Sequence, residues 1–96
     1  MNAQDTERFE AILRRYNLQG LAYNSAYVVS FADTRLDILF DQGIESGEEV
    51  DDLEFLYNNA ERYAGVLEDR EADAAYERQL LRAVNRRRIV PFYTIV

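Results

Sequence analysis

The stretch Ala22-Tyr23-Asn24-Ser25-Ala26-Tyr27-Val28-Val29-Ser30-Phe31-Ala32-Asp33-Thr34-Arg35-Leu36-Asp37-Ile38-Leu39-Phe40-Asp41 decides the fold, because it admits two readings. With a period of two, Tyr27, Val29 and Phe31 alternate with smaller or polar neighbours. After Ala32-Asp33-Thr34-Arg35, Leu36, Ile38 and Phe40 alternate against Asp37 and Asp41. A four-residue loop then pairs Phe31 with Leu36, Val29 with Ile38 and Tyr27 with Phe40, all apolar and on one face. With a helical period, Leu18, Leu21, Ser25, Val28, Ala32, Leu36 and Leu39 form a stripe. That reading leaves Tyr23, Tyr27, Phe31 and Ile38 on the far side. The β-branched and aromatic content favours the hairpin.

On either side the periodicity is helical. In residues 5–16, Phe9, Ile12, Leu13 and Tyr16 make one stripe. Asp5 or Thr6 can cap this helix, and Asn17 to Gly20 can stop it. Residues 46–68 open on Ser46-Gly47-Glu48-Glu49, which reads as a capping box with Ser46 at the N-cap and Glu49 at N3. Val50, Leu53, Tyr57, Ala60, Ala64 and Leu67 follow at helical spacing.

Residues 70–88 read as another helix, with Ala72, Ala75, Tyr76, Leu80, Ala83 and Val84 on its apolar side. No Gly or Pro separates these two helices. A break near Glu68-Asp69 is the preferred reading, and one long helix the alternative. The tail, Ile89-Val90-Pro91-Phe92-Tyr93-Thr94-Ile95-Val96, is strand-like, and Pro91 restricts it to an edge or a strand start. It would be the third strand that a hairpin needs.

The expected fold is therefore α+β in a single domain over residues 1–96: an N-terminal helix, a β-hairpin, two long antiparallel helices and a C-terminal strand. The alternative is an all-α four-helix bundle with an extended tail. On these faces Tyr16, Tyr57 and Tyr76 are expected in the core, and Tyr23 and Tyr93 half-exposed.

Composition narrows the chemistry. An apolar fraction of 48% in 96 residues suits one modest globular core. The chain has no His and no Cys, which removes the commonest general base and the strongest side-chain nucleophile. Thr6, Ser25, Ser30, Thr34, Ser46 and Thr94 occur in no catalytic motif. There is no phosphate loop, no dinucleotide glycine pattern and no calcium loop. The expectation is a non-enzyme without cofactor or metal. The start shows no signal-peptide pattern and no run is apolar enough to span a bilayer, so a cytoplasmic location is expected.

Charge is the strongest signal. Net charge is −7, all eleven basic residues are Arg and Lys is absent. A GC-rich coding sequence accounts for that bias, with adaptation to high salt as a second reading. Residues 1–40 carry −1, residues 41–77 carry −11 and residues 78–96 carry +5. Arg78, Arg82 and Arg86 lie on one helical line. If the last two helices form a hairpin, this line faces Glu48 and Asp52 and neutralises part of the acid.

What remains can meet a basic partner, since spaced carboxylates on a helix imitate phosphates that Lys and Arg recognise. The candidate partner-binding residues are Glu48, Glu49, Asp51, Asp52, Glu54, Glu68 and Asp69, with Phe92 and Tyr93 on the tail. The functional expectation is a small acidic domain that binds and occupies another protein with a basic surface. A phage- or plasmid-type inhibitor of a nucleic-acid-binding defence protein is its sharp form. The alternative is an assembly subunit that self-associates into a homo-oligomer or docks through its apolar tail. Direct nucleic-acid binding is disfavoured at this net charge.

Overall fold

The computed structural model describes the backbone of residues 1–95 and the side-chain surroundings of residues 1–83. Three α-helices follow in order: α1 (Ala3–Arg15), α2 (Ser25–Asp41) and α3 (Glu48–Ile95), with a 3-10 turn at Gln19–Leu21 between the first two. The fold is all-α. The α+β expectation fails at each β element, for no strand occurs among the described residues. The four-helix alternative fails on number, because the two segments expected over residues 46–68 and 70–88 form one helix from Glu48 onward.

Residues 25–41 are helical because of what the helix buries. Val28, Ala32, Leu36 and Leu39 are all under 9% exposed on one face of α2. Fully burying a Val or Leu stabilises by about 1.5–3 kcal/mol, whereas helix propensities differ by no more than about 0.7 kcal/mol per ordinary residue. The tertiary term wins over β propensity. Asn24 supplies a start signal, its Oδ1 accepting from the Tyr27 N–H at 3.2 Å. Tyr27, Ile38 and Phe40 are left exposed on the outer side, and Phe31 half-buried.

The helix ends are closed by defined hydrogen bonds. Asn2, rather than Asp5 or Thr6, caps α1: its Oδ1 accepts from the Asp5 N–H at 2.7 Å. At the far end Asn17 adopts φ 59°, and the Leu18 N–H reaches the Leu13 carbonyl while the Asn17 N–H reaches that of Arg14. That is a Schellman closure. Gly43, at φ 81°, repeats it on α2, with Ile44 donating to Leu39 and Gly43 donating to Phe40.

The expected capping box on α3 is replaced. Gly47 stands at the N-cap, its carbonyl accepting from the Asp51 N–H at 3.0 Å. Glu49 turns to Arg35 and Tyr16 instead of back to Ser46.

α3 does not break at Glu68-Asp69. Residues 66–90 contain neither Gly nor Pro and are rich in Glu, Arg, Ala and Leu, which are strong helix formers. The tail is helical through Ile95, with Pro91 inside the helix. With residues 25–41 helical there is no hairpin for a terminal strand to join.

The core lies at one end of the molecule. Phe9, Ile12 and Leu13 of α1, the α2 stripe, and Val50, Leu53, Leu56, Ala60 and Tyr63 of α3 pack together, joined by Leu18 and Ala22 from the connection. The Phe9 ring stacks on Tyr63 at 4.5 Å and tilts against Phe55 at 6.2 Å. The core tyrosine is thus Tyr63. Tyr57 and Tyr76, expected inside, are 45% and 62% exposed, and Tyr23 is exposed beyond the half expected, at 72%.

Past Leu67 α3 leaves the core and continues as an arm, tied to α1 at its root through Arg70. The radius of gyration is 21.1 Å and the longest extent 78 Å, against about 12.5 Å for the radius of a compact chain of this length.

Candidate functional site

The acids at the start of α3 are partly consumed by the bundle. Asp52 is 7% exposed and sits between two arginines of α1. The Arg15 Nη1–H donates to its Oδ2, and Arg8 Nη2 lies 3.7 Å from its Oδ1. Arg15 also approaches Glu48 at 3.5 Å. Glu49 accepts from the Arg35 Nε–H at 3.2 Å and from the Tyr16 hydroxyl at 3.4 Å. Burial and the neighbouring Glu49 carboxylate push the Tyr16 hydroxyl pKa up. Arg8 also lies over the Phe55 ring, 4.2 Å from its centroid.

These partners differ from the expected ones. On a continuous helix Arg78 is about 39 Å along the axis from Asp52, so the Arg78, Arg82 and Arg86 line cannot face Glu48 and Asp52. Arginines of α1 and α2 replace it.

Five of the acids left over on α3 share a face. Asp51, Glu54, Glu61, Glu68 and Asp69 are all exposed and make no salt bridge among the described residues. At 100° per residue they fall within about 100° of arc on the side of α3 turned away from α1 and α2. Glu54, Glu61 and Glu68 recur every seven residues, about 10.5 Å apart along the axis. Of the candidate residues, Asp51, Glu54, Glu68 and Asp69 are therefore brought together, while Glu48, Glu49 and Asp52 belong to the bundle's ion pairs. Glu61 was missed; its seven-residue spacing from Glu54 and Glu68 is the signal that marks it. The surroundings of Phe92 and Tyr93 lie outside the described residues.

A clamp joins α1 to the root of the arm. The Glu10 Oε2 accepts from the Tyr63 hydroxyl at 3.0 Å and from the Arg70 Nη1–H at 3.2 Å. Partial burial raises the Glu10 pKa, but those two hydrogen bonds and the Arg70 charge outweigh it, and the net shift is downward. Burial and the bond to Glu10 push Tyr63 up.

On the outer side of α2, Tyr27, Phe31 and Ile38 line a shallow groove of about 310 Å³. Among the described residues no three acidic side chains are placed to hold a metal ion, and no helix is long and apolar enough to cross a membrane. No protein-family model, curated protein or solved structure matches this chain.

Proposed function

We propose that this chain is a protein-interaction domain that binds and occupies a partner with a basic surface through the outward face of α3. The observation that carries this reading is the line Asp51, Glu54, Glu61, Glu68 and Asp69: exposed, on one face of one continuous helix, and outside the chain's own salt bridges. The bundle supports Asp51, Glu54 and Glu61 from behind and the continuous helix carries the line on to Glu68 and Asp69, so the carboxylates are held in order before a partner arrives, which lowers the ordering cost of association. Lys and Arg side chains that track a nucleic-acid backbone would meet the same sign of charge at regular intervals. An inhibitor of the phage or plasmid type that fills a nucleic-acid-binding groove is the sharper form of this proposal, and the ordered acid line supports it.

The test compares proteins retained from a cell lysate by the wild-type chain and by a D51N/E54Q/E61Q variant. The expected result is a basic protein held by the wild type, eluted by salt and lost from the variant. Identical retention by both chains would overturn the reading.

A further inference from the structure

We infer that the arm of α3 pairs antiparallel with the arm of a second copy of this chain. The inference goes beyond the basic-partner reading and does not depend on it; the pair engages Glu68 and Asp69 and leaves Asp51, Glu54 and Glu61 to the basic partner.

The arm's charges are wrong for a helix that stays alone. Between residues 68 and 88 the charged pairs at i and i+4 are Asp69 with Asp73, Asp73 with Glu77, Arg78 with Arg82, and Arg82 with Arg86. All are like-charged, and each such pair destabilises an isolated helix by a few tenths of a kcal/mol. Opposite pairs at that spacing are absent. The helix nevertheless runs unbroken through this region, well beyond the contact of Arg70 with Glu10 of α1.

The same pattern is right for an antiparallel pair. The root of the arm, residues 68–77, carries −4, and residues 78–88 carry +5. Antiparallel pairing lays the acidic half of each arm on the basic half of the other. Parallel pairing would lay acid on acid and arginine on arginine.

An apolar seam lies where such a pair needs one. Ala72, Tyr76, Leu80 and Ala83 fall within about 80° of arc, and Tyr76 and Leu80 are 62% and 48% exposed. With the two-fold axis between Glu77 and Arg78, Tyr76 packs on Leu80 of the second copy and Ala72 on its Ala83. Glu68 and sequence position 86, an Arg, both lie about 80° from the centre of this stripe on one flank, and in an antiparallel pair like flanks face each other, so Glu68 stands opposite position 86 of the second copy. Asp69 and position 87, also an Arg, extend the stripe at its two ends, and the same register sets them against each other. The alanines let the helices approach closely, and the flanking charges set orientation, as at the edges of a coiled coil. The apolar stripe from Ala72 to Ala83 is about 17 Å long, and the overlap over residues 68–88 about 30 Å. Arg78 and Leu81 lie on the opposite side and stay exposed. The two bundles end at opposite ends of a rod.

The chain has no cysteine, so a single spin label at an Asn58→Cys position on the outward face of α3 reports one distance. The antiparallel pair predicts a label separation of about 60 Å along the common axis. A parallel pair predicts about 20 Å, the interaxial spacing of packed helices plus the labels. Light scattering on the full chain gives the accompanying mass, expected to be that of a dimer which weakens as salt rises.

The reversals Glu68→Arg and Arg86→Glu should each weaken the dimer about tenfold, because each turns two attractions per dimer into repulsions, and the double reversal should restore it. Both positions lie on the arm, outside the core cluster, so the bundle's melting should not change. A monomer at both low and high salt, a separation near 20 Å, or a double reversal that fails to restore the dimer overturns the inference. None of these outcomes bears on the D51N/E54Q/E61Q comparison, and that variant should leave the dimer intact.

Discussion

Arg15 of α1 and Asp52 of α3 form a charge-assisted hydrogen bond in which the carboxylate is buried and the guanidinium is half-exposed. The asymmetry sets the consequence of breaking it. Asp52→Asn keeps the shape and removes the charge that holds both Arg8 and Arg15, and should cost about 1–2 kcal/mol, below the figure for a fully buried pair because the arginines can return to water. Arg15→Ala should cost less, since Arg8 still faces Asp52. Urea titration of the three chains gives the ranking, and equal losses from both substitutions would contradict it.

The two halves of α3 should respond differently to the same truncation. Leu53→Ala or Leu56→Ala empties a position with no exposure and should cost about 2–5 kcal/mol. Leu81→Ala, 63% exposed on the arm, should shift stability by less than about 0.5 kcal/mol. Thermal melting resolves the contrast, since about 1 kcal/mol moves the midpoint by about 4–8 °C in a domain of this size.

The clamp of Glu10, Tyr63 and Arg70 makes stability depend on pH in a defined direction. The Glu10 pKa is lowered in the folded state, so its contribution is present above the unfolded-state value and is lost as pH falls through the folded one. Tyr63 is raised, so its contribution is present below the unfolded-state value and is lost as pH rises through the folded one. Glu10→Gln should flatten the acid side of the stability profile, and Tyr63→Phe the alkaline side. Denaturation series across pH that show unchanged acid slopes for Glu10→Gln would remove the clamp from the account.

Gly47 has φ 125°, a region in which side chains are strained, and nothing within 4 Å blocks an added Cβ. The cost of Gly47→Ala is therefore conformational, about 1–3 kcal/mol. Gly43 at φ 81° is also open, and Gly43→Asn should cost less than Gly43→Val, because Asn tolerates left-handed backbone and a β-branched residue does not. Circular dichroism melts of the three variants check the order.

The chain's residues alone determined much of this protein. The stripe Phe9, Ile12, Leu13, the stop at Asn17, the helical run from Val50 to Leu67, the helical residues 70–88 and the segregation of acid from arginine were all legible, because each rests on periodicity, local backbone chemistry or arithmetic. The tertiary structure decided the rest. Residues 25–41 satisfy both periods, and only packing against α1 and the first half of α3 selects the one that buries Val28, Ala32, Leu36 and Leu39.

The continuity of α3 past Leu67 was marked locally by the absence of Gly and Pro from residues 66–90, but its consequence for the ion pairs was not. That continuity moves Arg78 and Arg82 far from Asp52 and gives the ion pairs to Arg8, Arg15 and Arg35. Charge segregation along the chain pointed to a meeting of its last fifth with its middle, and that meeting does not occur among the described residues. Which arginine meets which acid depends on distances between helices, and those exist only once the chain has folded.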